Sequence, residues 1–211
     1  MQVRIITDLT KLPPSQNCVN VIPYGIFGEI NFRKQLDGSS KDLVNGGRIS
    51  KRLGGITLIG AQTDNCSLKR KSVLVYESGK LLSICDMNEQ TEKYAPAFGY
   101  KIITFSGKKI GILVDKDLYF PDAIKSLIFC DCCAIINLYA GFLTKKASVC
   151  AEFYSFIYGS DFMVLAKDKS VAFNSDGESI LINSNQVTEL SCEKRYKEVR
   201  IKRRGARLDL H

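Results

Sequence analysis

The sequence predicts an α/β protein built as a four-layer α-β-β-α sandwich from two similar halves, forming one domain over residues 1–211. Two observations carry this expectation. Short apolar runs of strand length alternate with stretches of helical periodicity, the pattern of a layered α/β domain. Segments of the first half also recur in the second, in the same order. VRIITD from Val3 resembles IGILVD from Ile110, CVNVIPYGIFG from Cys18 resembles CCAIINLYAGF from Cys132, and KSVLVYESGKLLS from Lys71 resembles ESILINSNQVTELS from Glu178. An ordered repeat at an offset of about 107 residues calls for two similar units. Two sheets packed face to face, with helices outside, then make four layers.

In chain order, strands are expected at 3–7, 19–23, 56–61, 73–76, 102–105, 110–114, 134–138, 162–166 and 179–182, each apolar and bounded by turn residues. Helices are expected at 121–129, where Ile124, Leu127 and Ile128 share one face after Pro121, and at 147–158. Gly46-Gly47 and Gly54-Gly55 lack the strand and helix context of a phosphate loop and read as turn or helix-end glycines.

Composition narrows the function classes. Apolar content of 45% with 25% charge is that of an ordinary globular chain. No window approaches eighteen consecutive apolar residues, and MQVRIITDLT opens as a strand rather than a leader, so a cytoplasmic chain with no membrane partner is expected. The eight cysteines are scattered and read as reduced thiols. The cluster FCDCCAII lacks a second cysteine pair, and the only histidine is His211, so neither a metal nor a Cys-His or Ser-His mechanism is expected. No cofactor is called for. Much of the net charge of +8 sits in the tail at about 193–211. A lone basic run of this kind reads as a solvated or subunit-facing surface rather than a nucleic-acid site.

The stretch IGILVDKDLYFPD, residues 110–122, runs apolar for five residues and then presents Asp115 and Asp117 around a lysine before Phe120-Pro121. The loop leaving the carboxyl end of a buried strand is where α/β proteins place their chemistry. This stretch resembles the nucleophile segment of the nitrilase, or carbon-nitrogen hydrolase, superfamily, whose usual reading is IGV, two apolar residues, Cys-x-Asp, then Leu-x-Phe-Pro-Glu. NVIPYGIFG is similar to the family's strand ending in Leu-Pro-Glu, RISKRLGGITLIGAQ to its helix and strand, SVLVYESGKLLS and DGESILINSNQVTEL to two of its hairpins, and RRGARLDLH to its basic tail. The resemblance covers nearly the whole chain.

The family's activity depends on a Glu, a Lys and a Cys: the thiolate forms an acyl intermediate, the glutamate moves protons and the lysine stabilises developing charge. Carried over position by position, these become Tyr24, Met87 and Asp115. A tyrosine is protonated at neutral pH, methionine carries no charge, and attack by a carboxylate on an amide gives a high-energy anhydride. The resemblance therefore implies a nitrilase-fold protein lacking the Glu-Lys-Cys triad, a catalytically silent binding or assembly protein. The alternative is a divergent amide or nitrile hydrolase that recruits Cys85, Lys80, Lys93 or Asp115, with Glu29 lying five residues beyond Tyr24. Family members are longer, and residues 9–17 leave little room for the helix expected before the second strand. The resemblance also implies a homodimer whose interface includes part of 195–210, with a small molecule as a further ligand.

Overall fold

The computed structural model describes residues 1–65, 67–89, 91, 93–96 and 99–193. In chain order the elements are β1 (Gln2–Ile5), β2 (Val19–Ile22), β3 (Glu29–Asn31), α1 (Phe32–Leu36), α2 (Asp42–Leu53), β4 (Ile56–Asn65), β5 (Leu68–Glu77), β6 (Lys80–Asp86), β7 (Lys101–Phe105), β8 (Lys108–Val114), a 3-10 turn (Asp115–Tyr119), α3 (Pro121–Phe129), β9 (Ala134–Leu138), α4 (Lys145–Tyr158), β10 (Asp161–Leu165), β11 (Ser170–Phe173), β12 (Ser179–Ile180) and β13 (Val187–Glu189).

Among the described residues the strands form two sheets. The first runs β13-β1-β2-β4-β5-β6, with β3 also on β4, and the second runs β7-β8-β9-β10-β11-β12. Position by position the two carry the same pairing: antiparallel, parallel, parallel, antiparallel, antiparallel. The expected halves are present in this sense, β1 answering to β8 and β2 to β9. One expected match is corrected. By sheet position the β5-β6 hairpin answers to β11-β12, whereas the stretch from Glu178 spans β12 and β13, one strand too late. Alternating apolar residues around a turn recur in any hairpin, so that pair carried little register information.

Three apolar layers follow from strand alternation. Between the sheets, Val3, Ile5, Val21, Leu58 and Val73 meet Ile110, Ile112, Val114, Ile136 and Met163. Outside the second sheet, Leu113, Ile135 and Phe162 pack under Ile124 and Leu127 of α3 and Ala151 of α4. Outside the first, Ile22, Ile59 and Leu74 pack against Leu53 of α2. Central parallel strands buried on both faces read as continuous apolar runs, which is why 110–114 shows no polar break. Each such side chain contributes about 1.5–3 kcal/mol on burial.

The helices begin and end where local chemistry dictates. Pro121 occupies the first turn of α3, the Thr144 hydroxyl accepts from the Ala147 N–H at the start of α4, and Gly159 closes α4 in the left-handed conformation. That threonine cap moves the start of α4 two residues ahead of the expected 147. Gly54 does end α2 as expected, but Gly46 and Gly47 lie inside it. A Cβ on Gly46 would meet the Tyr76 hydroxyl at 2.7 Å, and one on Gly47 would meet the Gly79 carbonyl oxygen at 2.5 Å. Their absence of side chains lets α2 sit directly on the β5-β6 turn.

Residues 9–17 carry no helix, and Pro13-Pro14 bars one. The buried Arg4 on β1 holds this loop instead, donating to the Pro14 carbonyl at 3.0 Å and to Asn20 Oδ1 from both Nε and Nη2. Among the described residues no helix is long and apolar enough to cross a membrane. The basic tail beyond residue 193, with the expected interface at 195–210, lies outside the described residues.

Replacing Gly47 by Ala should cost about 1–3 kcal/mol in urea unfolding, because the backbone oxygen it meets cannot yield. This outweighs the gain of about 1 kcal/mol that helix propensity gives alanine. Gly28→Ala, with nothing within 4 Å of the new methyl group, should change stability by less than about 0.5 kcal/mol. A stabilised Gly47→Ala protein would contradict the close helix-sheet approach.

Candidate functional site

Tyr24, Met87 and Asp115 follow the ends of β2, β6 and β8, and the fold brings this region of the two sheets together. All three side chains are buried. The ring of Tyr24 lies over Gly60 of β4, where a Cβ would approach it to 2.8 Å, and its hydroxyl donates to the Ser72 carbonyl at 2.8 Å. Burial first, then the charges of Asp115, Asp86 and Asp117, push its pKa well above the ordinary phenol value. It stands as a neutral donor, as its chemistry led us to expect.

Asp115 opens the 3-10 turn at φ 50°, in the left-handed region that aspartate tolerates better than most residues. Three contacts hold it there. Its Oδ1 accepts from the Ala140 N–H at 2.9 Å, its carbonyl accepts from Asn137 Nδ2 at 3.1 Å, and its Oδ2 pairs with the ammonium of Lys71. The aspartate is buried and the lysine half-buried, with 3% and 16% of their side chains exposed. Lys71 also lies over the ring of Tyr94, 4.9 Å from its centroid.

Lys71 is the residue that sequence reasoning missed. It sits on β5, where its carbonyl accepts from the Met87 N–H at 2.9 Å, so the two are neighbours across the hairpin. Met87 carries no charge, but a cation reaches the site from the adjacent strand. The signal lay in the hairpin itself: folding the chain about Ser78-Gly79 sets Ser72 opposite Asp86, and Lys71 beside Met87. Asp117, the other carboxylate of the motif, accepts from the Asn88 N–H at 3.0 Å and from Asn88 Nδ2 at 3.2 Å. Burial lifts its pKa to about 6 against those hydrogen bonds. It ties the segment after Met87 to the 3-10 turn.

The other residues considered for recruitment stand elsewhere. Cys85 is buried in the layer between the sheets, and burial raises its thiol to about 12, the opposite of activation. Lys80 is exposed at the tip of the β5-β6 hairpin, at the far end of β6 from Met87. Lys93 is exposed in the segment between β6 and β7. Glu29 is exposed and pairs with Lys69 at 3.1 Å. It borders a cavity of about 270 Å³ lined also by Tyr24, Gln62, Ala140 and Lys167, which does not include Asp115 or Lys71. The Ala140 N–H that borders this space is already turned to Asp115. Cys130 is exposed, Cys132 faces the helices and Cys133 faces the other sheet, so the three do not converge on one point.

Lys71→Met leaves a buried carboxylate without its counter-ion and should cost about 3–5 kcal/mol in urea unfolding. Adding Asp115→Asn, which keeps an acceptor for Ala140 and tolerates the left-handed backbone, should recover more than half of that loss. A loss below about 1 kcal/mol for Lys71→Met alone would show that the pair does not hold the site together.

No protein-family model matches this sequence, and no curated protein matches it. Solved structures do match its fold. A carbon-nitrogen hydrolase from Helicobacter pylori G27 aligns with a TM-score of 0.65 at 14% identity, covering 82% of this chain and 76% of that one. An amidase of the nitrilase superfamily from Nesterenkonia AN1 aligns with a TM-score of 0.69 at 11% identity, covering 90% of each chain. Nit3 of Saccharomyces cerevisiae, a member of branch 10 of the nitrilase superfamily, aligns with a TM-score of 0.68 at 12% identity, covering 89% of this chain and 88% of that one. At these identities the likeness concerns architecture, and the two matched sheets between outer helices give this chain the fold of the nitrilase superfamily.

Proposed function

We propose that this nitrilase-fold chain is catalytically silent at the positions where the family carries Glu, Lys and Cys, and that it acts by binding or assembly in the cytoplasm. The observation that supports this reading most directly is the engagement of Asp115, whose two carboxylate oxygens are taken up by Lys71 and the Ala140 N–H. A carboxylate enclosed and held by a partner on each oxygen is poorly placed to attack a substrate carbon, and Tyr24 stays a neutral phenol at neutral pH. A hydrolase built on Cys85 would need a thiolate where burial favours the thiol.

The unmodified protein should hydrolyse simple amides and nitriles no faster than background. Lys71 changes what Asp115→Cys would do: the new thiol would have a cation beside it, though no base. It should therefore alkylate faster than the same thiol in an Asp115→Cys, Lys71→Met protein, while turnover stays absent until Tyr24→Glu is added. Robust amide or nitrile hydrolysis by the unmodified chain, lost with Cys85→Ser or Lys93→Ala, would overturn the silent reading in favour of a divergent hydrolase.

For assembly we propose a homodimer that includes the outer face of α4. Val149, Phe153, Phe156 and Ile157 recur there at helical spacing with 50%, 56%, 47% and 47% of their surface exposed. A contiguous apolar face of this kind on a chain of net charge +8 is suited to a protein partner rather than to solvent. Sedimentation at micromolar concentration should give a dimer mass, and Phe153→Glu should shift it toward the monomer. A monomeric unmodified chain under the same conditions would exclude this interface.

A further inference from the structure

Two cysteines outside the Lys71–Asp115 site meet at one corner of the sandwich. Cys133 immediately precedes β9 of the second sheet, and Cys192 follows β13 of the first. The side chains of Cys133 and Cys192 adjoin there, and Cys133 Sγ also donates to the Lys109 carbonyl at 3.4 Å. Asp161 holds both backbones in place: its N–H donates to the Cys133 carbonyl at 3.2 Å, and its carboxylate accepts from the Cys192 N–H at 2.8 Å and from the Ser191 hydroxyl at 3.2 Å. Lys108 donates to the Ser191 carbonyl at 3.0 Å and brings a positive charge to the same corner. Both cysteines are largely buried, each with 8% of its surface exposed.

We propose that Cys133 and Cys192 are a reversible redox pair, oxidised by hydrogen peroxide to an intramolecular disulfide that fastens the start of the basic tail to the second sheet. The Cys133 thiolate attacks one oxygen of the peroxide, forming a sulfenic acid and releasing hydroxide, which leaves as water with the proton lost by the thiol. The Cys192 thiol then attacks that sulfur, forming the S–S bond and expelling a second water. Two thiols lose two electrons in all, and the peroxide is reduced to two waters. The interaction with Cys192, assisted by the charge of Lys108 and opposed by burial, brings Cys133 down to about 7, while the same interaction and burial raise Cys192. Cys133 is thus the attacking thiol and Cys192 the resolving one. Cys132 and Cys130 are differently placed, one under the outer helices and the other at the exposed end of α3. The linkage joins Cys192, one residue before the tail at about 193–211, to a strand in the middle of the second sheet.

The test is hydrogen peroxide added to the reduced full-length chain, read by intact mass, thiol titration and peptide mapping. Oxidation should lower the mass by about 2 Da, reduce the titratable thiols from eight to six, yield a linked Cys133–Cys192 peptide and reverse with dithiothreitol. Cys192→Ser should leave a sulfenic acid on Cys133 that dimedone labels, and Cys133→Ser should slow peroxide consumption about tenfold or more. A linked peptide that joins other cysteines, or peroxide consumption equal in the unmodified and Cys133→Ser proteins, would overturn the assignment. Should either variant fail to fold, the mapped linkage in the unmodified chain decides, and its absence at full peroxide consumption refutes the pair.

Discussion

Lys71 reaches from β5 of the first sheet to Asp115 at the end of β8 in the second, so one ion pair spans the layer in which the two sheets meet. Apolar packing between sheets is nondirectional and would tolerate sliding, whereas a charge pair in a low-dielectric setting tolerates little displacement. A largely buried pair of this kind adds little net stability over an apolar substitute, yet it is costly to break from one side. Its effect here is on placement. Asp115 keeps its left-handed turn because Lys71, Ala140 and Asn137 all engage it, and the 3-10 turn, α3 and the Asn88–Asp117 link follow from that turn.

The same arrangement bears on function. A position suited to a nucleophile is solvent-reachable and flanked by groups that accept protons and stabilise charge. At this site the aspartate is enclosed, the tyrosine spends its hydroxyl on a backbone carbonyl, and the methionine lies in the core. The strand ends are still where α/β chemistry would be expected, but the groups there satisfy one another. Around this centre the two sheets share one pairing scheme, while their outer layers differ. The second sheet has α3 between its first parallel strands, and the first has a proline-broken loop pinned by Arg4.

Much of the fold was legible in the sequence because burial on both faces leaves a direct trace. The central strands β1, β2, β4, β8, β9 and β10 are largely buried and predominantly apolar, and Pro121 and Gly54 mark helix ends through local backbone chemistry alone. Asp115 could be placed at a strand end for the same reason, and the identities at positions 24, 87 and 115 sufficed to question a Glu-Lys-Cys mechanism. The short strands β3, β11 and β13 left no such trace. Their pairing partners define them, and Glu29-Ile-Asn31 or Val187-Thr-Glu189 carries too few apolar residues to be recognised alone.

What only the tertiary structure decided depends on contacts between residues distant in the chain. Gly46 and Gly47 look like turn glycines until Tyr76 and Gly79 are seen above them, because the need for a missing side chain lies in the neighbour rather than in the helix. Lys71 looks like one more surface lysine in SLKRKSV until the hairpin register sets it beside Met87 and the second sheet carries Asp115 to it. Cys133 and Cys192 likewise come together only where Asp161 links the start of β9 to the segment after β13. Periodicity records which face of an element is buried, a property each residue carries locally. Which charge faces which is set by how the two sheets stack, and no local pattern encodes that.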